Sequence, residues 1–343
     1  MPNAFVCPRH ETLAWLEYAD TPPEEAQVRV RCEFGAEKHG TMMSFFKGHG
    51  NQRGTWDGAA GVFRPGRGVV WDYPIPLGNM AVGRIEAVGP VVQRRRVGER
   101  VLCFGGFRPT VTTHESQCWP IPDAVPWQTA VCLDPASFAL SAVRDGGVRV
   151  GDAVAVFSLG AIGLMCVQMA RLAGAHPIIA IDPFAGRREV ALGTGADLAL
   201  DPSGGADVGL AIREATGGRG ADVVIEYSGM MEAMQGALRG VAFGGNVVAG
   251  AFPSPHKAGL DLGAEAHMNR PNIIFSRTES DPDRDHPRWS NARNRELCHH
   301  LICSGKLDGV PLVQPVIPFE ALMERYLELV TNPALSIKLG VRY

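Results

Sequence analysis

A glycine-containing turn is the clearest chemical motif in the chain. The run VAVFSLGAIG, which ends at Gly163, passes from an apolar strand pattern through a turn into an apolar helix. Its last six residues read SxGxxG, with Ser158, Gly160 and Gly163 at the positions where dinucleotide-binding turns carry glycine. The first helical residues, Ala161 and Ile162, would offer unpaired N–H groups at the positive end of the helix dipole. The motif therefore predicts a site for a pyrophosphate.

Each residue of this turn has an expected role. Gly160 would let the backbone approach the pyrophosphate closely, and Gly163 would permit tight packing of the helix on the strand. Ser158 replaces the first glycine, and it can keep the turn if its backbone dihedral angles stay ordinary. Two of the three glycines of the fingerprint are thus retained.

An acidic residue after the next strand strengthens the motif. Asp182 stands nineteen residues beyond Gly163, at the end of PIIAID, where a carboxylate can accept both hydrogen bonds from an adenosine ribose. This favours NAD over NADP, because a 2′-phosphate would meet a like charge. Arg187 and Arg188 offer an offsetting positive charge, although we favour the reading of both as ordinary helix-surface charges.

Two later strands should complete the cofactor site. The run ADVVIEYSG ends at Ser228 and Gly229, and GGNVVAGAF passes through Gly250 and Ala251 near its end. The carboxyl ends of strands in an open parallel sheet line its ligand crevice, so we expect these four residues to face the cofactor.

The composition and the hydrophobic pattern of the sequence predict how the rest of the chain is organised into domains and which classes of function are excluded. Residues from Val28 to about Val131 read as short β runs with little helical periodicity, which predicts an all-β domain, whereas strands and helices alternate after Asp134 and predict a doubly wound parallel sheet.

The net charge of −3 without a basic stripe argues against nucleic acid as a partner. The apolar stretch from Ala153 to Ala175 splits into strand, turn and helix, which argues against a membrane span. With no signal-peptide pattern and eight cysteines lacking a CxxC pair, we expect a cytoplasmic protein with reduced, mostly buried thiols.

The order of these parts resembles that of the medium-chain dehydrogenases. The best match is DPASFALSAVRDGGVRVGDAVAVFSLGAIGLMCVQMARLAGA, which is similar to the linker and first βα unit of the polyol and threonine dehydrogenase branch. The resemblance implies a GroES-like catalytic domain, at residues 1–134 and 278–343, and a Rossmann domain at residues 135–277. It also implies an active site in the cleft between the domains, and a homodimer joined through Rossmann edge strands.

The same resemblance locates positions that hold zinc in the family's alcohol dehydrogenases, and each is altered here. The segment FGAEKHGTMM places Glu37 or Lys38 at the cysteine position, LGNMAVG places Asn79 and Met80 at the His and Glu positions, and Asp134 stands at the linker position. This set lacks the thiolate and imidazole donors that zinc prefers. The four-cysteine lobe of the structural zinc is also missing, so we expect no metal.

Without zinc, side chains must polarise the substrate oxygen and move its proton. The resemblance places Lys38 and His39 at the ligand and proton-relay positions, and the hypothesis is that Lys38 polarises the oxygen while His39 relays the proton. Glu37 or Asp134 would modulate the lysine pKa. The alternative is a solvated turn after the strand VRVRCEF.

The predicted activity is a zinc-independent, NAD-dependent oxidation or reduction of a small polyol, cyclitol or sugar-like molecule at a secondary alcohol or ketone. The alternatives are an NADPH-dependent reductase of enones or quinones and a non-catalytic nucleotide-binding protein. The polar segment TESDPDRDHPRWSNARNR resembles a loop that closes over the cleft in zinc-poor relatives, with Arg277, Trp289 and Arg293 as candidates, or it is a plain solvated loop.

Overall fold

A computed structural model describes residues 1–48, 53–66, 72–253, 259–278 and 284–343. The chain divides into two compact units: unit 1 comprises Met1–Val131 and Val313–Tyr343, and unit 2 comprises Cys132–Leu312. The described residues between 284 and 312 therefore belong to unit 2. The division into domains at residues 134 and 278 stays a prediction.

The described residues form eighteen strands. In chain order these are β1 (Asn3–Cys7), β2 (Ala14–Glu17), β3 (Gln27–Ala36), β4 (Thr55–Asp57), β5 (Val62–Arg64), β6 (Ile75–Pro76), β7 (Met80–Val88), β8 (Arg100–Phe104), β9 (Thr110–His114), β10 (Cys118–Pro120), β11 (Val154–Phe157), β12 (Ile178–Ile181), β13 (Leu198–Leu200), β14 (Ala221–Glu226), β15 (Val241–Ala249), β16 (Asn272–Phe275), β17 (Val313–Pro318) and β18 (Lys338–Arg342).

Ten α-helices accompany them in the same parts of the chain. They are α1 (His39–Phe46), α2 (Trp127–Ala130), α3 (Leu133–Asp145), α4 (Ala161–Leu172), α5 (Ala185–Thr194), α6 (Val208–Ala215), α7 (Met231–Gly240), α8 (Glu265–Asn269), α9 (Asn291–Cys303) and α10 (Leu322–Thr331). None of the described helices combines the length and the apolar character that crossing a membrane requires.

Unit 1 is built on a seven-stranded, mainly antiparallel sheet. Its order is β10-β8-β7-β3-β18-β17, with β9 also paired to β3. The alternating pattern of β3 places Val28, Val30 and Cys32 in the core and the intervening arginines outside, as a half-buried strand requires. The predicted β runs are thus confirmed, and the last strand, β18, joins this sheet antiparallel to β3.

Two helices of unit 1, α1 and α2, contradict the expectation of an all-β domain from Val28 to about Val131. Residues His39–Phe46 form the helix α1 directly after β3. Met42 and Phe46, four residues apart, lie on the same helical face and are buried in the core, which stabilises the helix through packing. The segment is too short for helical periodicity to stand out against its glycine-rich surroundings.

Unit 2 contains the doubly wound parallel sheet that the sequence predicts. Its strand order is β13-β12-β11-β14-β15-β16, and every adjacent pair is parallel. Strands β11 and β12 are buried along their whole length, which explains their unbroken apolar sequences. This is the Rossmann order, in which the chain reverses direction across the sheet between β11 and β14, and ligands bind at such a switch point.

Candidate functional site

The predicted phosphate-binding turn connects β11 to α4 in unit 2. Helix α4 begins at Ala161, so its first main-chain N–H groups lie directly after Gly160. Ser158 has a φ of +73°, so the condition of ordinary dihedral angles is not met at this position. A left-handed conformation costs an L-residue roughly 1–2 kcal/mol, and the turn keeps the shape that glycine usually provides.

The two glycines have different surroundings. A Cβ added at Gly163 would lie 1.8 Å from the carbonyl oxygen of Ser158, so only glycine allows the helix this close to the strand. A Cβ added at Gly160 would have no heavy atom within 4 Å, and its φ is an ordinary −69°. Gly160 therefore borders open space at the start of α4, where a bound pyrophosphate would fit.

Asp182 follows β12 and is 3% exposed. Its carboxylate accepts hydrogen bonds from the main-chain N–H of Leu159 at 2.8 Å and of Phe184 at 2.9 Å. The first bond ties the carboxylate directly to the phosphate-binding turn. Two backbone donors occupy part of its accepting capacity, so Asp182 holds the turn in addition to any ribose contact.

Arg187 is not the solvated surface charge that we favoured from the sequence. Its side chain is 14% exposed, and its Nη1 lies 3.7 Å from a carboxylate oxygen of Asp182. Burial lowers the pKa of the Arg187 guanidinium, and the charge of Asp182 opposes this shift. Arg188 donates to the main-chain oxygen of Asp182 at 2.7 Å and pairs with Asp201 at 3.0 Å. Both arginines therefore lie beside the predicted adenosine site.

The carboxyl ends of three central strands are level with one another. Phe157 pairs with Glu226, and Glu226 pairs with Ala249, so the segments that follow β11, β14 and β15 emerge at one edge of the sheet. Gly250 and Ala251 come directly after β15, and Gly250 allows the ring of Tyr227 to approach where a Cβ would lie 2.3 Å away. The structure thus brings the predicted segments to the switch-point edge.

A residue that the sequence reasoning missed lies at this edge. Glu226 is 2% exposed, and its carboxylate accepts bonds from the main-chain N–H and the hydroxyl of Ser228 and, at 3.1 Å, from the N–H of Gly229. Ser228 and Gly229 are therefore folded around this carboxylate. A charged residue inside the apolar run ADVVIE was the available signal, since such residues are buried only with hydrogen-bond partners.

In unit 1, the residues predicted for the catalytic corner lie where β3 ends and β7 begins. The N–H of Asn79 donates to the carbonyl of Ala36 at 2.9 Å, which brings Asn79 next to Glu37. Glu37 is 1% exposed, and burial raises the pKa of its carboxyl group, although the N–H of Lys38 donates to it at 2.7 Å. Glu37, Lys38, His39 and Asn79 are thus close in the fold as the resemblance implied.

The ring of His39 has a defined hydrogen-bond role. The main-chain N–H of Leu339 donates to Nε2 of His39 at 3.3 Å, and the hydroxyl of Ser336 lies 3.4 Å from the same nitrogen. A backbone N–H can only donate, so Nε2 acts as an acceptor and the neutral ring carries its proton on Nδ1. In the neutral ring, Nδ1 is therefore the nitrogen that can donate a hydrogen bond.

The corner contains a second lysine that the sequence reasoning did not name. Lys338, at the start of β18, is 2% exposed, and its Nζ donates to the main-chain oxygen of Glu37 at 2.6 Å. Its positive charge lowers the pKa of Glu37 against the larger effect of burial. The hydroxyl of Tyr326, from α10, also faces Glu37. Three hundred residues separate Lys338 from Glu37, and only the pairing of β18 with β3 brings them together.

The two remaining positions of the altered metal site belong to different units. Met80 is fully buried in β7 of unit 1, and Asp134 is 8% exposed as the second residue of α3 in unit 2. The grouping of Asp134 with the catalytic corner stays a prediction. Within the parts of the chain that the structure describes, no three His, Cys, Asp or Glu side chains are arranged to hold a metal ion.

Comparison with known proteins identifies the family. Residues 161–287 match the model of the zinc-binding dehydrogenases. D-guloside 3-dehydrogenase of Escherichia coli K12 is 41% identical over 344 residues, an alignment that covers 96% of this chain and 97% of that protein. The chain belongs to the zinc-binding dehydrogenase family of the medium-chain dehydrogenases. The chain is therefore an oxidoreductase of the polyol and sugar dehydrogenase type.

Solved structures share the whole fold. An alcohol dehydrogenase from Escherichia coli CFT073, complexed with NADH, has a TM-score of 0.78 at 20% identity and covers 100% of this chain and 99% of that chain. A zinc-binding dehydrogenase from Sinorhizobium meliloti 1021, bound to NADP, has a TM-score of 0.79 at 21% identity with the same coverage. The predicted α/β fold, with a GroES-like β-rich unit and a Rossmann unit, is therefore confirmed.

Proposed function

We propose that this dehydrogenase transfers hydride between NAD and a secondary hydroxyl group on the ring of a glycoside or a similar sugar-like molecule, without zinc. The observation that carries the proposal is the 41% identity with D-guloside 3-dehydrogenase across nearly the full length of both chains. The NAD assignment is supported by Asp182, whose charge would repel a 2′-phosphate.

The residues of unit 2 fit a nicotinamide dinucleotide. The open space at Gly160 and the N-terminus of α4 would hold the pyrophosphate, and Asp182 would accept the ribose hydroxyls. The segments at Ser228, Gly229, Gly250 and Ala251 would border the crevice at the switch point. A dinucleotide held there would supply the hydride acceptor for oxidation of the carbinol carbon and the hydride donor for reduction of the ketone.

The corner of unit 1 does not fit a zinc ion. Zinc binds thiolate, imidazole or ionised carboxylate groups, whereas Asn79 offers an amide and burial favours the protonated form of Glu37. The Nε2 atom of His39 already accepts from Leu339. This donor chemistry supports a mechanism that depends on side chains alone.

Lys38 is the proposed proton-exchanging group. As an amine it takes the hydroxyl proton when the carbinol carbon loses hydride, and as an ammonium it polarises the carbonyl oxygen in the reverse reaction. His39 was the relay in the sequence-based hypothesis, but its Nε2 is engaged by Leu339. We therefore propose that Nδ1–H of His39 orients the substrate oxygen by donating a hydrogen bond.

The proposal is tested by following NADH formation in chelator-treated protein with methyl glycosides, free sugars, polyols and cyclitols, and with NAD or NADP. We expect turnover of a glycoside with NAD that added zinc does not increase. Lys38→Met should lower kcat at least 100-fold, and His39→Asn should lower it less, with NADH affinity unchanged in both. Reduction of enones with NADPH alone, or turnover restored only by zinc, would contradict the proposal.

We also propose that the dehydrogenase forms a homodimer through β16. This strand is the last one in the described order of the parallel sheet, and Ile273 and Phe275 on it are 43% and 74% exposed. An exposed apolar edge strand is a surface that pairing with a second copy would cover. Sedimentation of Phe275→Glu should show a monomer where the unaltered protein sediments as a dimer; a dimer in both would contradict this arrangement.

A further inference from the structure

Unit 2 contains a groove that the proposed function does not use. Three helices supply its apolar walls, and the cavity between them has a volume of about 600 Å³, within the range of small-molecule sites. We name it the α3–α4–α9 groove. Its aliphatic lining comes in pairs from the three helices: Leu140 and Val143, Met169 and Leu172, and Leu297 and Leu301.

Charged side chains also line the groove, and they are mainly positive. Arg144, Arg149 and Lys306 supply three cations and Asp285 supplies one anion. Arg144 is paired with Asp285, whereas none of the described residues forms an ion pair with Arg149 or Lys306. The groove therefore has an excess of two positive charges beside an aliphatic surface.

One end of the groove is held in a fixed arrangement. The guanidinium of Arg144 lies 3.5 Å from the centre of the Trp289 ring, and that of Arg293 lies 4.0 Å from the same centre. Cation–π contacts of this kind add to the ion pair with Asp285. The polar segment that we associated with cleft closure thus supplies Trp289 and Arg293 to this stack, and the stack holds Arg144 beside the groove.

We propose that the α3–α4–α9 groove binds an amphipathic anion with an unbranched aliphatic chain, such as a fatty carboxylate. The chain would cover the aliphatic walls, which include Leu172 at 46% exposure, and the head group would meet Arg149 and Lys306. An uncharged chain would leave the two cations without partners, and a small anion would leave Leu172, Leu297 and Leu301 uncovered.

The groove is separate from the proposed cofactor site. Helix α4 begins at the phosphate-binding turn, and its other end, at Leu172, lines the groove. Twelve helical residues rise by about 18 Å, so a dinucleotide and the amphipathic anion can be bound at the same time. The inference therefore does not depend on the substrate or on the catalytic residues.

The test is calorimetric titration of the full chain with dodecanoate, below the concentration at which it forms micelles. We expect saturable binding of one molecule per chain, at least tenfold tighter than dodecanol, and no binding of acetate at the same concentrations. Dodecanol binding as tightly would show apolar adsorption, acetate binding as tightly would show a simple anion contact, and either result would overturn the proposal. Absence of saturable dodecanoate binding would overturn it as well.

Substitutions in the α3–α4–α9 groove test whether dodecanoate binds there. Arg149→Gln with Lys306→Gln should weaken dodecanoate binding at least tenfold, which corresponds to about 1.4 kcal/mol, and Leu172→Gln should weaken it at least threefold. Leu192→Gln is the matched control, because Leu192 is 48% exposed on α5 outside the groove. Unchanged binding in the first two variants would overturn the assignment to this groove. The comparison of the three probes on the unaltered protein keeps the proposal testable if a variant does not fold.

Discussion

The two glycines of the phosphate-binding turn allow stability and cofactor binding to be separated. In Gly163→Ala, the new Cβ would lie 1.8 Å from the carbonyl oxygen of Ser158, and real Cβ contacts are essentially never shorter than 3.0 Å. The oxygen must therefore move by about 1.2 Å, and it belongs to the turn that would hold the pyrophosphate. We expect this variant to lose both stability and NADH affinity.

The magnitudes follow from that displacement. Overpacking of a tight site costs roughly 1–3 kcal/mol, and each kcal/mol lowers the melting temperature of a unit of this size by about 2–4 °C. A shift of this size in the phosphate-binding turn should weaken NADH binding at least tenfold, or about 1.4 kcal/mol. Differential scanning fluorimetry and NADH fluorescence titration measure the two effects separately.

Gly160→Ala is the matched comparison. Its Cβ would meet no heavy atom within 4 Å, so the free energy of unfolding should change by less than about 1 kcal/mol. The same Cβ would occupy the space proposed for the pyrophosphate, so NADH binding should again weaken at least tenfold. Gly193→Ala, in α5 with equally open surroundings, should leave NADH binding unchanged.

Two results would refute this reasoning. If Gly163→Ala melted and bound NADH like the unaltered protein, the close contact between the helix and the turn would not govern either property. If Gly160→Ala bound NADH normally, the pyrophosphate would not lie at the start of α4.

Three further predictions concern other residues of the two candidate sites. Ser158→Gly should raise the free energy of unfolding by up to about 1 kcal/mol in thermal melts, because it removes the left-handed strain at φ +73° and costs some chain entropy; a loss of stability would contradict this. Glu37 has a pKa raised above its ordinary 4.5 by burial, so the stability it contributes at low pH is lost as the pH rises through that raised value. Glu37→Gln should therefore gain stability relative to the unaltered protein as the pH rises from 4 to 8 in denaturant titrations, and a constant difference would argue against a raised pKa. Asp182→Asn should shift the ratio of NADPH to NADH affinity at least tenfold towards NADPH by removing the like charge; an unchanged ratio would show that another residue sets the preference.

The sequence by itself determined the parts of the protein that depend on local pattern. The alternation of apolar strands with helices predicted the parallel sheet. The SxGxxG turn and Asp182 predicted the order strand, turn, helix, strand at its start, because these features are contiguous or nearly so in the sequence. Alternation in β3 likewise predicted a half-buried strand. The helix α1 escaped prediction, because eight residues contain too few turns for periodicity to show.

Only the tertiary structure decided which distant groups meet. Lys338 reaches Glu37 because β18 returns to pair with β3, and Nε2 of His39 accepts from Leu339 for the same reason. The left-handed conformation of Ser158 and the burial of Arg187 beside Asp182 also depend on how α4 and α5 pack at the ends of their strands. The types and spacing of the residues indicate which chemical groups are present. The hydrogen-bond role of each group and the pKa shift of Glu37 depend on burial and on neighbours that only folding brings close.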